Sequence, residues 1–272
     1  SHGDLETNHQ VGVGAILGAP LMLSTLTMFI MAASVIGHRG FSGHLKPEKT
    51  GLIRDLDFFI FSFIFAGIAL FIPHTSELTR GLIAFLMVFS YFIYILMTIR
   101  ASKKLVNEGH ATEASSPMFM ERIGCPNNYL VISIQLLIGL ALLIYGAKGF
   151  IYGIEEASSI LGISALILSM LIIPIATELP EKVNSILWVR KGKDTLAFGN
   201  ITGALVFQGT LLPAIGIMLT PWVPQKEVFA GVVITLLGVL WIRWMISRGQ
   251  LRVWHVWVNG LMYLAYLAFA LS

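Results

Sequence analysis

Two glutamates close to a proline are the residues of this sequence most suited to chemistry. Glu178 and Glu181 lie three positions apart in the stretch PIATELPEKVNSILW, residues 174–188, so on a helix they would share one face. Pro180 lies between them and is expected to kink that helix, because it has no backbone N–H to donate. Carboxylates held within a membrane usually face a cavity and mark the path of an ion or a proton. The stretch therefore predicts a cation site, provided that it lies in a membrane.

The same residues also have a purely structural interpretation. Glu181 and Lys182 would then mark the cytoplasmic end of a short helix, with their charged groups reaching the lipid headgroups. Residues 183–188 still precede the basic loop RKGKD, and this favours the cation site.

The composition indicates that these carboxylates do lie in a membrane. Of the 272 residues, 56% are hydrophobic and 12% are charged, whereas about a quarter of the residues in a soluble domain are charged. Eight apolar segments are long enough to cross a bilayer as helices, for which about 17 residues suffice. They are residues 11–36, 56–72, 78–99, 129–145, 160–175 with a more polar continuation to 188, 195–219, 228–246 and 253–271. The predicted fold class is an all-α polytopic membrane protein with eight transmembrane helices.

The basic residues between these segments predict an orientation. Most of the 18 Lys and Arg residues lie in the loops after the first, third, fifth and seventh segments, while Arg80, Lys148 and Lys226 lie on the opposite side. By the positive-inside rule the basic loops face the cytoplasm, so both termini of the chain face outward, in the cytoplasmic (inner) membrane. Basic residues confined to such loops do not indicate nucleic-acid binding. The polar start SHGDLETNHQ is not a signal peptide, and we expect further sequence upstream of Ser1.

An internal similarity predicts an inverted repeat. GAILGAPLMLSTL, residues 14–26, agrees with GNITGALVFQGTL, residues 199–211, at six of 13 positions, although two apolar helices can also agree by chance. Each copy contains the Gly-x-x-x-Gly pattern that lets helices approach closely in lipid. The glycines are Gly14, Gly18, Gly199 and Gly203. The copies lie in the first and sixth segments and so cross the membrane in opposite directions, the construction of many secondary transporters.

This repeat predicts the organisation of the chain. Residues 1–99 would be the remainder of the first repeat, with three helices, and residues 129–272 the second repeat, with five. Residues 100–128, which include EGHATEASSP, would be a flexible cytoplasmic connector.

A longer stretch, ATELPEKVNSILWVRKGKDTLAFGNITGALVFQGTLLPAIGI, resembles the second alpha-repeat of the sodium/calcium exchanger (cation/calcium antiporter) superfamily. The family pattern is G-T-S-x-P-E, a loop with K-G and D, and then G-N-x-x-G-S-N-x-x-N/D. The matching residues are Thr177, Pro180, Glu181, Lys191, Gly192, Asp194, Gly199, Asn200 and Gly203. VGVGAILGAPLMLSTL, from Val11, resembles the second half of the first alpha-repeat. The resemblance implies ten helices, five plus five inverted, of which these eight segments would be the last eight.

The resemblance also implies a set of cation-binding residues. With the carboxylates of the apolar segment included, they are Glu181, Glu178, Thr177, Gln208 and Asn200, with Glu181 and Glu178 as metal ligands, although Glu178 and Gln208 stand where the family pattern has Ser and Asn or Asp. We expect these residues to meet across the repeat interface near the membrane midplane. The chain departs from the family pattern where Ala204 and Leu205 replace a Ser-Asn pair, and the corresponding face of the first repeat has no side-chain oxygen. That face consists of Ala15, Ala19 and Leu23. Pro20 and Pro213 instead leave the carbonyls of Ile16 and Gly209 without helical partners, as candidate backbone ligands.

These features predict a secondary cation antiporter that exchanges Ca²⁺ or another cation for Na⁺ or H⁺ by alternating access, because carboxylate and carbonyl oxygens suit such hard cations. No enzymatic motif is present, and the cations are substrates rather than cofactors. The alternative is a transport-inactive, exchanger-derived structural subunit of a membrane complex. The apolar first-repeat face favours that alternative, and the carboxylates Glu178 and Glu181 disfavour it. The expected partners are the lipid bilayer, cations, and either a membrane-complex partner or a second copy of the chain.

Overall fold

The structure, a computed structural model, describes residues 2–107, 118–249 and 251–272, with their side chains except at positions 2–7, 102–107, 143, 147, 150, 151, 155, 176 and 180. Apart from an isolated bridge between His44 and Arg252, the regular structure in these ranges is helical. The helices are α1 (His2–Met22), a π-helical turn (Leu23–Thr27), α2 (Met28–Ala33), α3 (Ile36–Arg39), α4 (Lys49–Ala69), α5 (Glu77–Asn107), α6 (Phe119–Arg122), α7 (Tyr129–Leu161), α8 (Ala165–Thr177), α9 (Leu179–Arg190), α10 (Asp194–Leu219), α11 (Lys226–Ser247) and α12 (Val253–Ala270).

Six helical stretches of the described residues are long and apolar enough to cross a membrane. They are Asn8–Ala33, Glu77–Ala101, Tyr129–Gly146, Asp194–Leu219, Lys226–Ser247 and Val253–Ala270. The predicted all-α class is therefore confirmed for the described residues, and six of the eight predicted segments are candidate membrane spans. Two predicted segments are not among the six: α4 is long enough but carries Arg54, Asp55 and Asp57, and the segment from 160 onward is divided into the short helices α8 and α9.

Several helices begin or end away from the predicted positions. α4 begins at Lys49 rather than at residue 56, because Glu48 caps it by accepting hydrogen bonds from the N–H groups of Thr50 (2.7 Å) and Gly51 (2.5 Å). Burial alone would raise the pKa of Glu48, but these hydrogen bonds outweigh it and hold that pKa below its ordinary value. α7 extends to Leu161, so residues 146–159, which lie between two predicted apolar segments, are helical in the structure.

The predicted connector, residues 100–128, is also partly helical. α5 continues to Asn107, because the sequence RASKKL offers good helix formers beyond the apolar segment. Residues 119–122 form the short helix α6, and residues 108–117 of the connector lie outside the described residues.

The chain divides into two compact units. One consists of Ser1–Ile99 with Ile163–Ser272, and the other is Arg100–Gly162. In the first unit α1 packs along α8, α10 contacts α1, α4 and α9, and α11 packs against α4 and α12. In the second unit the backbone N–H of Met120 donates to Oε1 of Gln135 at the start of α7 (3.0 Å). The predicted repeats, residues 1–99 and 129–272, are defined by sequence duplication, whereas these two units are defined by compactness. The repeat boundaries therefore stay a prediction.

The glycines of the first repeated segment lie in the contact between α1 and α8. A Cβ atom at Gly14 would overlap Oγ of Ser169, and one at Gly18 would overlap the backbone of Met170. The corresponding glycines of α10 are less crowded, since a Cβ atom at Gly199 would meet no described heavy atom within 4 Å, and one at Gly203 only the Tyr94 hydroxyl at 3.9 Å. Close approach of helix backbones is therefore seen for the first copy of the pattern.

Hydrogen bonds hold the basic loops of the first unit together at one end. Arg39 donates to both carboxylate oxygens of Asp194 (2.7 and 2.8 Å), and the backbone N–H of Lys46 donates to the same carboxylate (2.7 Å). The hydrogen bond to Asp194 raises the pKa of Arg39 above its ordinary value, although burial acts against it. The backbone N–H of Leu45 donates to the carbonyl of Leu251 (2.9 Å), which adds the loop after α11.

The opposite end of the unit is closed by two side chains. Arg80, 3% exposed, donates to the carbonyls of Thr220 (2.7 Å) and Pro221 (3.0 Å), and so satisfies carbonyls at the end of α10. Trp222 donates through Nε1 to the carbonyl of Ala66 in α4 (3.0 Å). Within the first unit, the loops after the first, fifth and seventh predicted segments thus gather at one end, and the loop after the sixth lies at the other, in keeping with the alternation of basic residues.

Candidate functional site: a broken helix with two glutamates

A break in the helix between α8 and α9 is the centre of the candidate site. α8 ends at Thr177, α9 begins at Leu179, and Glu178 joins them with φ −93° and ψ 8°. The prediction that Pro180 kinks a continuous helix is wrong, because the helix is interrupted at Glu178, two residues before the proline. The structure places Pro180 in the first turn of α9, where a missing N–H has no intrahelical partner to lose.

The two helices that flank the break are nearly equal in length. α8 has 13 residues and α9 has 12, which at a rise of about 1.5 Å per residue corresponds to about 20 Å and about 18 Å. α8 starts at the outer end predicted from the charges, and α9 ends at the basic loop. Glu178 therefore lies near the middle of the stretch from residue 165 to residue 190, at the point where the helix is interrupted.

Glu178 is buried and is held from α10. The residue is 5% exposed, and Oε1 accepts a hydrogen bond from Nε2 of Gln208 (2.6 Å). The hydroxyl of Thr177 lies 3.5 Å from the same oxygen and donates to the carbonyl of Ile173 (3.0 Å). The structure thus brings Thr177, Glu178 and Gln208 together.

Glu181 and Asn200 also meet, but through the backbone of Glu181. Nδ2 of Asn200 donates to the carbonyl of Glu181 (3.1 Å) and to Oγ of Ser185 (3.1 Å), which ties α10 to α9. The Asn200 amide therefore supports α9, and these hydrogen bonds do not involve the Glu181 carboxylate.

Two oxygens at the break are buried and have no hydrogen-bond partner among the described residues. They are Oε2 of Glu181 and Oε1 of Gln208, which belong to different helices. A buried acceptor without a partner costs about 1–3 kcal/mol, so native structures rarely leave one without a partner, be it protein, water or ion. These oxygens are suited to bind a cation.

Lys182 is the residue of this site that the sequence analysis did not assign to it. The residue is 7% exposed, and Nζ donates to the carbonyl of Pro174 (2.8 Å) and to Sδ of Met22 (2.9 Å). The interpretation in which Lys182 reaches the headgroups is therefore wrong. The available signal was its position four residues after Glu178, a spacing that places an acid and a base on one helix face.

The contacts also correct where the predicted ligands meet. α9 and α10 both belong to the predicted second repeat, so the contacts of Glu178 and Glu181 with Gln208 and Asn200 lie within that repeat and not across the repeat interface. Met22 at the end of α1 adds a thioether sulfur from the first repeat. The face of Ala15, Ala19 and Leu23 adds no side-chain oxygen.

The donor set limits how a metal could be held. Within the described residues, no three His, Cys, Asp or Glu side chains are close enough together to hold a metal ion. A cation at the break would rely on Glu178 and Glu181 together with the Gln208 amide, the Thr177 hydroxyl and backbone oxygens.

A second buried carboxylate belongs to a structural contact. Asp55 of α4 is 5% exposed, and it accepts hydrogen bonds from Thr202 of α10 (2.8 Å) and from Arg54 (2.9 Å). Sequence reasoning placed it in the loop before α4. Asp55 is spaced four and seven residues from the buried residues Phe59 and Ser62, so it lies on the same face of α4, and this spacing indicates an inward position.

A cavity of about 340 Å³ lies away from the break. It is lined by residues at the start of α1 and α8 and in the α10–α11 loop, including His9, Gln10, Leu166 and Trp222. None of the glutamates at the break lines it.

Comparison with known proteins gives a family match over the half of the chain that contains the break. The sequence profile described as "Sodium/calcium exchanger protein" matches residues 131–272. "Putative antiporter CaxA" of Alkalimonas amylolytica is 35% identical over 91 residues, which are 34% of this chain and 28% of that protein. "Inner membrane protein YrbG" of Escherichia coli (strain K12) is 24% identical over 217 residues, which are 80% of this chain and 62% of that protein.

Two solved structures share the fold. The crystal structure of the H⁺/Ca²⁺ exchanger CAX matches with a TM-score of 0.71 and 18% identity, over 96% of this chain and 65% of that chain. The structure of native YfkE matches with a TM-score of 0.64 and 15% identity, over 98% of this chain and 75% of that chain. The chain therefore spans less than two thirds of the curated relatives and of the CAX chain that it matches.

Proposed function

The chain belongs to the sodium/calcium exchanger protein family, a family of membrane transporters and not of enzymes, and we propose that it acts as a secondary cation antiporter. It exchanges Ca²⁺ or another cation for Na⁺ or H⁺ by alternating access. The observation that carries this proposal is the helix break at Glu178, where Oε2 of Glu181 and Oε1 of Gln208 are buried and have no hydrogen-bond partner among the described residues.

The chemistry of exchange follows from the cost of a buried charge. A carboxylate in a medium of low dielectric constant is stable only when a cation or a proton neutralises it. Glu178 and Glu181 would therefore bind the transported cation on one half of the cycle and a proton or Na⁺ on the other. The cations are substrates, and the bound state needs no cofactor.

The proposed transmembrane architecture is an inverted repeat of eight crossings in this chain. α4 and the broken pair α8–α9 add two crossings to the six apolar stretches. Transporters with inverted repeats bind their substrates where helices are broken near the midplane, and they expose the site to each side in turn by rocking one part against the other. The position of Glu178 supports this arrangement.

The proposed orientation places the basic end of the first unit in the cytoplasm and both termini of the chain outside. The membrane is the inner membrane, in keeping with the name of the Escherichia coli relative. A second copy of the chain or another membrane protein remains the proposed partner.

A transport assay tests the function. The purified protein is reconstituted into proteoliposomes, and uptake of radiolabelled Ca²⁺ or Na⁺ is driven by an outward gradient of Na⁺ or H⁺. Glu181→Gln keeps the size of the side chain and removes its charge, so it should lower exchange by about tenfold or more, as expected when a charged ligand is removed from a site of low dielectric constant. Glu77→Gln, at an exposed carboxylate, is the matched control and should leave exchange unchanged.

The second candidate function is a transport-inactive, exchanger-derived structural subunit of a membrane complex. It is favoured by the apolar face of Ala15, Ala19 and Leu23, which brings no oxygen to the break. Equal flux in the wild type and Glu181→Gln would reject the assigned site. Absence of gradient-driven flux in the wild type, for every cation pair, would favour the structural subunit.

A further inference from the structure

The buried ammonium group of Lys182 donates hydrogen bonds to acceptor atoms at the break that could otherwise bind a cation. Nζ lies 2.8 Å from the carbonyl oxygen of Pro174 and 2.9 Å from Sδ of Met22. Pro174 is in the last turn of α8, where carbonyl groups carry the negative end of the helix dipole and favour positive charge. A mobile cation at this helix end would use the same kind of oxygen.

Lys182 also interacts electrostatically, through its ammonium group, with the two glutamates. Its backbone N–H donates to the carbonyl of Glu178 (3.1 Å), one helical turn earlier, and its charge interacts with both Glu178 and Glu181. The side chains of α1 and α10 that form hydrogen bonds with these three described residues are uncharged: Met22, Asn200 and Gln208. Among the described residues, the cluster therefore combines two acids and one base.

We infer that Lys182 is a resident cation of this site and that it makes the site selective for monovalent cations, of the Na⁺ class, over divalent ones. This inference rests on the proposed cation site at Glu178 and Glu181, and it names the substrate class of that site.

The selectivity follows from charge balance. Two carboxylates and one ammonium leave a single negative charge, which one monovalent cation neutralises. A divalent cation would leave an uncompensated positive charge next to the Lys182 ammonium, and that repulsion is strong in a medium of low dielectric constant. Removing the ammonium charge restores two negative charges and favours a divalent cation.

The test compares cation binding in variants that differ in this one charge. Lys182→Met keeps a flexible side chain of similar length and removes the charge, whereas Lys182→Arg keeps the charge. Lys191→Met removes an exposed charge from the α9–α10 turn and serves as the matched control. The thermal midpoint of the detergent-solubilised protein is measured against NaCl and CaCl₂, with ionic strength held constant by choline chloride.

We expect Na⁺ to stabilise the wild type, Lys182→Arg and Lys191→Met at lower concentration than Ca²⁺. Lys182→Met should raise the apparent affinity for Ca²⁺ relative to that for Na⁺ by about tenfold or more, given the strength of such charge pairs. If Lys182→Met does not fold, Lys182→Gln provides the same test, because its amide can still donate to the Pro174 carbonyl.

The outcomes separate this inference from the function on which it rests. An unchanged Na⁺/Ca²⁺ preference in the charge-removing variant, with both responses lost in Glu181→Gln, overturns the role of Lys182 and leaves the cation site in place. A wild type that responds to Ca²⁺ at lower concentration than to Na⁺ also overturns it. If neither the wild type nor the Lys182 variants respond to either cation, both the inference and the proposed site fail.

Discussion

At the scale of single residues, the contact between α1 and α8 depends on glycines. The backbone of Met170 lies where a Cβ atom of Gly18 would be, so even a methyl group requires the two helices to separate. A backbone clash cannot be relieved by changing a side-chain rotamer. Gly18 is therefore the position at which the smallest substitution should have a large effect on the packing around α8.

We predict that Gly18→Ala lowers the thermal midpoint of the protein, because overpacking of a tight contact costs about 1–3 kcal/mol. Gly12→Ala is the matched control on the same helix, since its Cβ atom would meet no described heavy atom within 4 Å. Alanine in place of glycine inside a helix adds about 0.5–1 kcal/mol of stability, so this control should leave the midpoint unchanged or raise it. Equal midpoints for the two variants would contradict the close approach of α1 and α8.

Residue types and spacing were sufficient to identify the acids at the break, but not their contacts. The sequence alone singles out Glu178 and Glu181, because carboxylates in an apolar segment are costly. It does not determine whether Lys182 reaches the headgroups or turns inward, because both are compatible with its position in the chain. The inward position depends on Met22 and the Pro174 carbonyl, which are brought to Lys182 by the packing of α1 and α8.

At the scale of secondary-structure elements, the helix break was predictable and its position was not. A proline between two glutamates indicates a discontinuity, but proline is accepted in the first turn of a helix as well as at a kink. The structure uses the first option, so that the break falls at Glu178 and the side chain that contacts Gln208 is the joining residue itself. Local sequence could not distinguish these two cases.

Helix lengths differ from the apolar segments for a related reason. Hydropathy marks the part of a helix that lies in lipid, whereas capping groups and helix formers decide where it begins and ends. Glu48 starts α4 before its apolar part, and Gly162, in the left-handed region at φ 67°, ends α7 well beyond its apolar part. All eight helical segments were recognisable from the sequence, but only six are long and apolar enough in the described part of the structure to cross a membrane, because α4 carries several charged residues and the segment from residue 160 is divided between α8 and α9.

At the scale of the whole molecule, the distribution of basic residues predicts one orientation. The loops that contain Arg39, Lys46 and Asp194 are bonded together at one end of the first unit, and Arg80 closes the other end. Ser42 lies at the basic end and Thr75 at the opposite end, and both are exposed. In a background with Cys125→Ser, an impermeant thiol reagent added to intact cells should label Thr75→Cys and not Ser42→Cys. Labelling of Ser42→Cys alone would show that the orientation is reversed.

The central claim is that a cation binds at the break between α8 and α9 through the buried carboxylates. The most direct measurement is equilibrium binding of radiolabelled Na⁺ and Ca²⁺ to the purified protein, compared between the wild type, Glu181→Gln and the exposed-site control Glu77→Gln. We predict saturable binding of at least one of the two cations in the wild type and the control, and an affinity lower by about tenfold or more in Glu181→Gln, because the substitution removes a charge from a site of low dielectric constant. Saturable binding with the same affinity in Glu181→Gln, or no saturable binding in the wild type, would contradict the claim.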